Sequence, residues 1–340
     1  MKNALRKTCR NLLTVTGTWG IASRIRRSRF ANIVRSAIYR DGIHENNEGK
    51  IVFPHVDIYL TESCNLKCEH CSLFNPLRSG IVPKEELLAS MEGWSKRINP
   101  KTVLLLGGEP LLHPDYEEIT LAARNAWRDS EVFLITNGLL LPKVGNEFLE
   151  RMAANRIGFH ISRHLNTDNF NNQLDAAVVR FKRFGVKYEI IEAHKSWVTC
   201  QTFDENGIPC SANSDPRKAW TACLSKYCHA IHRDSMCRCS VILNMVMALE
   251  KGELPKSEFG DVGKHRLVSY NDSTEDILKY LRGGVMSECR FCPEEFTSIE
   301  ARQIPADRVR AIREIIAQKN GEFLKIGDSK PLDDKAKVAG

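Results

Sequence analysis

Residues 56–71 read Val56-Asp57-Ile58-Tyr59-Leu60-Thr61-Glu62-Ser63-Cys64-Asn65-Leu66-Lys67-Cys68-Glu69-His70-Cys71. The first five are rich in β-branched and aromatic side chains and predict a strand. The last eight hold three cysteines in what reads as a loop. Three thiolates this close together suit one cubane iron–sulfur cluster, which takes four. The fourth is missing locally, so one iron keeps an open position. On a metal centre an open position signals chemistry rather than structure; zinc sites give the logic. The competing readings are a structural zinc site that borrows a distant ligand, or unligated core cysteines.

Outward from this loop the chain alternates. Strands are predicted at 56–60, 102–106, 131–135, 157–162 and 186–191, and helices at 84–97, 115–128, 144–155 and 169–184. Pro83 suits the start of the first helix. Five strands joined by helical crossovers demand a parallel sheet. The run Val103-Leu104-Leu105-Leu106 suits burial on both faces. Five or six such units make an open sheet or a partial barrel, and either puts the chemistry at the C-terminal ends of the strands. Beyond about residue 196 the rhythm breaks and cysteines gather between Cys210 and Cys292. A helix is expected over 306–318, after Pro305, and then a loose polar tail.

Two motifs in this order carry a resemblance. Cys-x3-Cys-x2-Cys follows the first strand, and Gly107-Gly108-Glu109-Pro110 follows the second. Together they resemble the radical S-adenosylmethionine (radical SAM) enzymes over about residues 54–200. The resemblance implies an α/β fold, a partial (β/α)6 barrel, with a [4Fe-4S] cluster on Cys64, Cys68 and Cys71. It implies that the amino and carboxylate groups of S-adenosylmethionine chelate the open iron. Gly107, Gly108 and Glu109 would then meet the amino group, and Ser162 the ribose or carboxylate. Asn137 lies in Thr136-Asn137-Gly138, which recurs in the family. His70 stands where the family usually has an aromatic residue against adenine, and its ring can stack similarly. The implied reaction is reductive cleavage to methionine and a 5′-deoxyadenosyl radical, which abstracts hydrogen from a substrate. The cofactor does the hard chemistry while the protein positions it and excludes water.

A second thiol group comprises Cys223, Cys228, Cys237, Cys239, Cys289 and Cys292. The x2 spacing of Cys289 and Cys292 is that of a cluster or zinc corner. The group resembles the auxiliary-cluster modules of radical SAM enzymes called twitch (one cluster) and SPASM (two), except that Asp234 replaces a glycine before Cys239. Six cysteines are enough for one four-thiolate cluster and too few for two. The expectation is therefore a small cysteine-rich module with one auxiliary [4Fe-4S] cluster on Cys223, Cys239, Cys289 and Cys292; a zinc knuckle on the same ligands is the alternative. That leaves Cys228 and Cys237 spare, either as hydrogen-atom donors or as inert thiols. Cys9, Cys200 and Cys210 read as ordinary.

Two smaller features bear on the substrate. Glu189 and Glu192 end the fifth strand, where a carboxylate holds a ribose or a substrate amine or hydroxyl, or simply faces solvent. Arg163, beside His160 and His164, suits a substrate anion or a surface ion pair.

The chain has 340 residues, 42% of them hydrophobic and 27% charged, a globular composition. It carries 49 Lys+Arg against 42 Asp+Glu, for +7. Ten of the basic residues and no acid lie within 1–40, so the other 300 residues are net −3. This argues against nucleic-acid binding by the body. No apolar run is long enough for a spanning helix, and no signal peptide is read. The twelve cysteines therefore point to metal ligands rather than disulfides.

The organisation expected is a basic helical arm and linker at 1–50, the barrel at 51–205, the cysteine module at 206–300, and a helix and tail at 301–340. The arm reads as a helix packed on the body or lying on an anionic membrane. The expected setting is the cytoplasm, with the inner membrane face as a peripheral site. A flavodoxin- or ferredoxin-type reductant is the expected partner. The expected activity is oxidation or epimerisation of a small molecule: a sugar, aminocyclitol or nucleotide-sugar. The alternatives are a peptide-modifying enzyme, for which the arm is short, and a non-catalytic iron–sulfur or zinc protein.

Overall fold

A computed structural model describes residues 42–321 apart from 196, 224 and 296. The amphipathic helix expected in the arm, Cys9 and the tail lie outside the described residues. Residues 42–50 lead into the sheet. Strand β1 (His44–Glu45) pairs antiparallel with β2 (Ile51–Thr61). Ile43 is fully buried, and its carbonyl accepts two hydrogen bonds from Arg282.

The βα alternation follows as α1 (Lys84–Ser95), β3 (Ile98–Gly107), α2 (Tyr116–Ala126), β4 (Glu131–Thr136), α3 (Asn146–Ala154), β5 (Ile157–Ser162), α4 (Asp168–Phe184) and β6 (Lys187–Ile191). Strands β2 to β6 are parallel neighbours in chain order. Local sequence sets the helix ends. Pro83 precedes α1, with Glu85 and Glu86 in its first turn, where acids offset the helix dipole. Thr167 caps α4 by accepting from the Phe170 N–H, and Gly185 ends it at φ +73, a left-handed geometry natural to glycine. Side chains of β3 alternate: Val103 and Leu105 are fully buried under the helices, while Leu104 and Leu106 face the concave side.

The cysteine-rich part follows as short strands and helices: β7 (Trp197–Val198), β8 (Thr202–Phe203), β9 (Pro209–Cys210), α5 (Pro216–Ala222), β10 (His229–His232), β11 (Ser235–Cys237), α6 (Ser240–Glu250), α7 (Lys256–Phe259), β12 (Val268–Ser269), α8 (Thr274–Leu281), β13 (Ser298–Ile299) and α9 (Ala306–Lys319). Strand β10 adds parallel to β2, at the edge opposite β6, and β11 and β12 continue the same sheet. The fold is thus α/β with a parallel sheet, consistent with a partial barrel. Its sixth parallel strand comes from downstream chain on the β2 side, not from a sixth βα unit after β6.

Helix α6 is apolar nearly all round and buried through Ala248, which suits a core helix. It packs with Tyr59, Phe74, Ala230, Phe259 and Phe291 into a second core. Arg78 is buried between the two parts. It pairs with Glu62 at 3.1 Å and Glu253 at 3.4 Å and donates to Asn244 of α6. Among the described residues no helix is long and apolar enough to cross a membrane.

Candidate functional site

The loop after β2 turns its three cysteines into a cavity of about 300 Å³ at the C-terminal ends of the strands. Cys64, Cys68 and Cys71 line it together with Leu106, Gly107, Gly108, Asn137 and Ser162, from the ends of β3, β4 and β5. Burial pushes the Cys64 thiol up to about 12 and Cys68 to about 11, and raises Cys71 too. A metal must displace these protons to bind. N–H groups already face the sulfurs. The Leu66 N–H lies 3.4 Å from Cys64 Sγ, Asn137 Nδ2 3.8 Å from the same atom, and Gln303 Nε2 3.3 Å from Cys68 Sγ. Such donors are what cluster-bound thiolates require. Three thiols, N–H donors and adjacent space fit a cluster with one open iron.

Gln303 is not visible as a site residue in the sequence. It lies 235 positions from Cys68, and no spacing rule links the two. Residues 302–304 pair with the cysteine loop: the Glu69 N–H donates to Arg302 O at 2.8 Å, and the Ile304 N–H to Lys67 O at 2.7 Å. Gln303 Oε1 accepts from the Lys67 N–H at 2.7 Å.

The two glycines are required by close approach. A Cβ on Gly107 would lie 2.2 Å from Thr61 O, and one on Gly108 would lie 2.1 Å from Ser63 O. The Gly108 N–H donates to Thr61 O, and the Glu109 N–H to Ser63 O. Glu109 itself is fully buried and does not line the cavity. Its Oε1 accepts from Leu111 N–H and Thr136 Oγ1, and its Oε2 from Asn137 N–H at 2.8 Å. Burial outweighs these bonds and raises its pKa to about 7. This carboxylate clamps the Thr136-Asn137-Gly138 turn against the glycine turn, rather than facing the space where the sequence expects it.

Two other expected residues also stay outside the lining. His70 packs edge-on against Phe203, with ring centroids 4.4 Å apart, and lies 3.9 Å from Glu69. Glu189 sits in the middle of β6, level with His160 of β5, and pairs with it at 3.4 Å from a largely exposed position. Arg163 is held by Glu192, Asn166 and Asn171, so its charge is met within the protein. Ser72 and Ser225, which the sequence does not single out, line the cavity, as do Cys200, read there as ordinary, and His164, named there only beside Arg163. Burial lowers the His164 pKa to about 4.

The second thiol group is also brought together. Cys239 interacts electrostatically with Cys223 and Cys292, and Cys223 and Cys292 each do so with Cys289. Cys239 occupies the N-cap position of α6, with its sulfur at the positive end of the helix dipole and no side-chain cap hydrogen bond. Burial raises all four thiols, Cys223 to about 12. Among the described residues no three His, Cys, Asp or Glu side chains gather closely enough to share one ion. A cubane asks for something different, one thiolate for each iron.

Cys228 and Cys237 do not line the cavity. Cys228 lies by Asp57, Cys223 and Cys200. Cys237 is fully buried and accepts from Tyr280 Oη at 3.7 Å. That hydroxyl is 3.1 Å from His265 Nε2, and His265 Nδ1 is 3.0 Å from Glu288 Oε1. Burial alone would lower His265, but contacts with Cys237 and Glu288 win and raise it to about 9. The same imidazole holds Glu288 down to about 2.

Residues 58–191 match the family model described as the radical SAM superfamily. A GTP 3′,8-cyclase from Microcystis aeruginosa is 29% identical over 122 residues, 34% of this chain and 36% of that protein. One from Aliarcobacter butzleri is 33% identical over 99 residues, 27% of this chain and 30% of its own length. The chain thus matches about a third of the length of these curated relatives. Among solved structures, BtrN in complex with AdoMet and 2-DOIA aligns with TM-score 0.41 and 15% identity, over 68% of this chain and 88% of that one. Streptococcus suis SuiB bound to precursor peptide SuiA aligns with TM-score 0.35 and 19% identity, over 52% and 38%.

Proposed function

We propose that this chain, whose residues 58–191 match the radical SAM superfamily model, is a radical SAM enzyme that abstracts hydrogen from a small organic substrate held beside the cysteine loop. A sugar, aminocyclitol or nucleotide-sugar is the class we favour. The observation that supports this reading most is the single cavity that joins Cys64, Cys68 and Cys71 to Gly107, Gly108, Asn137 and Ser162. A volume of about 300 Å³ is at the scale of small-molecule sites.

When bound there, the cluster and S-adenosylmethionine supply a 5′-deoxyadenosyl radical. Cys64, Cys68 and Cys71 hold the cluster, and Gln303 and Asn137 donate N–H groups toward their sulfurs. The glycine turn keeps the wall open for the methionine end, and Glu109 fixes the Asn137 turn. Leu66, Leu73 and Leu106 exclude water, which protects a reactive intermediate. Cys223, Cys239, Cys289 and Cys292 are assigned to one auxiliary [4Fe-4S] cluster, supported by their mutual proximity and the α6 N-terminus.

The test is anaerobic incubation of the reduced, reconstituted protein with S-adenosylmethionine. Methionine and 5′-deoxyadenosine should form, and Cys64→Ala should abolish both. Equal turnover by the variant would contradict the reading.

A further inference from the structure

Cys200 belongs to neither thiol group that the sequence singles out, yet it lines the cavity with Cys64, Cys68 and Cys71. It does not stand there by chance of a floppy loop. Thr199 Oγ1 accepts from the Gln201 N–H and donates to Gln201 O, both at 3.1 Å. Gln201 Nε2 donates to Ser72 O at 3.1 Å, which ties the segment to the residue after Cys71. Cys200 itself is buried, with Sγ 3.7 Å from Ser225 Oγ, and Ser72 and Ser225 line the cavity beside it. Cys200 also interacts electrostatically with Cys223, Cys228 and Cys292. It is therefore a thiol between the two groups, open to the space where a substrate radical would form. The auxiliary assignment has four ligands without it.

We propose that Cys200 donates a hydrogen atom to the substrate-centred radical, so that the reaction closes with no net oxidation of substrate. This rests on reading the cavity as the S-adenosylmethionine and substrate site. The 5′-deoxyadenosyl radical takes a hydrogen atom from a substrate C–H, giving 5′-deoxyadenosine and a carbon radical. The Cys200 S–H bond breaks, a new C–H bond forms, and the sulfur is left as a thiyl radical. One electron from a low-potential reductant of the flavodoxin or ferredoxin class, with one solvent proton passed by Ser225 or Ser72, restores the thiol. Of the two outcomes expected from the sequence, this selects epimerisation. The donor is Cys200 rather than Cys228 or Cys237, neither of which reaches the cavity wall.

The test needs no substrate. In D2O the thiol becomes S–D. Without substrate, the radical made from S-adenosylmethionine on the titanium(III)-reduced full-length protein meets the Cys200 thiol on the cavity wall. The 5′-deoxyadenosine formed should carry solvent deuterium. Cys200→Ala and Cys200→Ser should both lose that label, and Cys210→Ala should keep it. Iodoacetamide should alkylate Cys200 in the cluster-loaded protein, and S-adenosylmethionine should protect it. Label undiminished in both Cys200 variants would overturn the proposal. So would loss of a cluster's worth of iron in them, which would make Cys200 a ligand, or absence of the alkyl adduct with and without S-adenosylmethionine. If the wild type forms no 5′-deoxyadenosine at all, the reading of the cavity falls and the proposal with it, an outcome distinct from those three.

Discussion

At the scale of single residues, close approach and N–H donors decide what the site tolerates. A methyl group on Gly108 would meet the Ser63 carbonyl at 2.1 Å, and backbone gives way less readily than a side chain. Gly108→Ala should therefore cost about 1–3 kcal/mol by overpacking and lower the iron retained, read by melting and by iron assay. Gln303 acts through the sulfur it faces. Gln303→Ala should cost about 1 kcal/mol for the lost hydrogen bonds. It should also shift the potential of the reconstituted N-terminal cluster to more negative values, because a hydrogen bond to sulfur favours the reduced, more anionic state. An unchanged potential would remove Gln303 from the ligand surroundings. The three loop cysteines were legible in the sequence because their spacing is local. Gln303 was not, because a β-bridge across the whole chain brings it there. Glu109 was legible as a residue but not in its orientation, since its partners on the Thr136 turn exist only after folding.

At the scale of elements, the parallel strands were legible because each is an apolar run between helical segments. Strand β10 was not, because four residues, His229–His232, carry too short a pattern to reveal that they pair with β2. The join between the two parts depends on Arg78, whose partners come from both sides. Arg78→Ala should cost about 3–5 kcal/mol, because it removes the ion pair of Glu253 and one of the two held by buried Glu62, whose other partner is Lys251, and chemical denaturation would measure it. The pair of His265, before β12, with Glu288, before Cys289, makes a pH prediction. Glu288 is held down to about 2, so its contribution is complete above 4.5 and is lost as pH falls through about 2. His265 is raised to about 9, so its contribution is complete below 6.5 and is lost as pH rises through about 9. Both act fully between pH 4.5 and 6.5. His265→Gln should lower the melting temperature most in that window, and the deficit should shrink toward alkaline pH. A deficit independent of pH would mean that packing, not charge, carries the contact.

At the scale of the whole molecule, the sheet unites what the sequence divides at residue 205. Strand β10 lies directly against β2, which feeds the cysteine loop, so the second thiol group is built on the same platform as the first. The sequence revealed both thiol groups through their spacings but not the distance between them. That distance depends on sheet order, which composition and periodicity do not encode.

The central claim is that one chain carries two clusters, one open for S-adenosylmethionine and one closed. Iron and sulfide content after anaerobic reconstitution tests it most directly, in the wild type and in a Cys64/Cys68/Cys71 triple-alanine variant. About eight irons per chain, falling to about four in the variant, is the predicted result. About four falling to none would contradict it, because the thiols of Cys223, Cys239, Cys289 and Cys292 would then hold no iron.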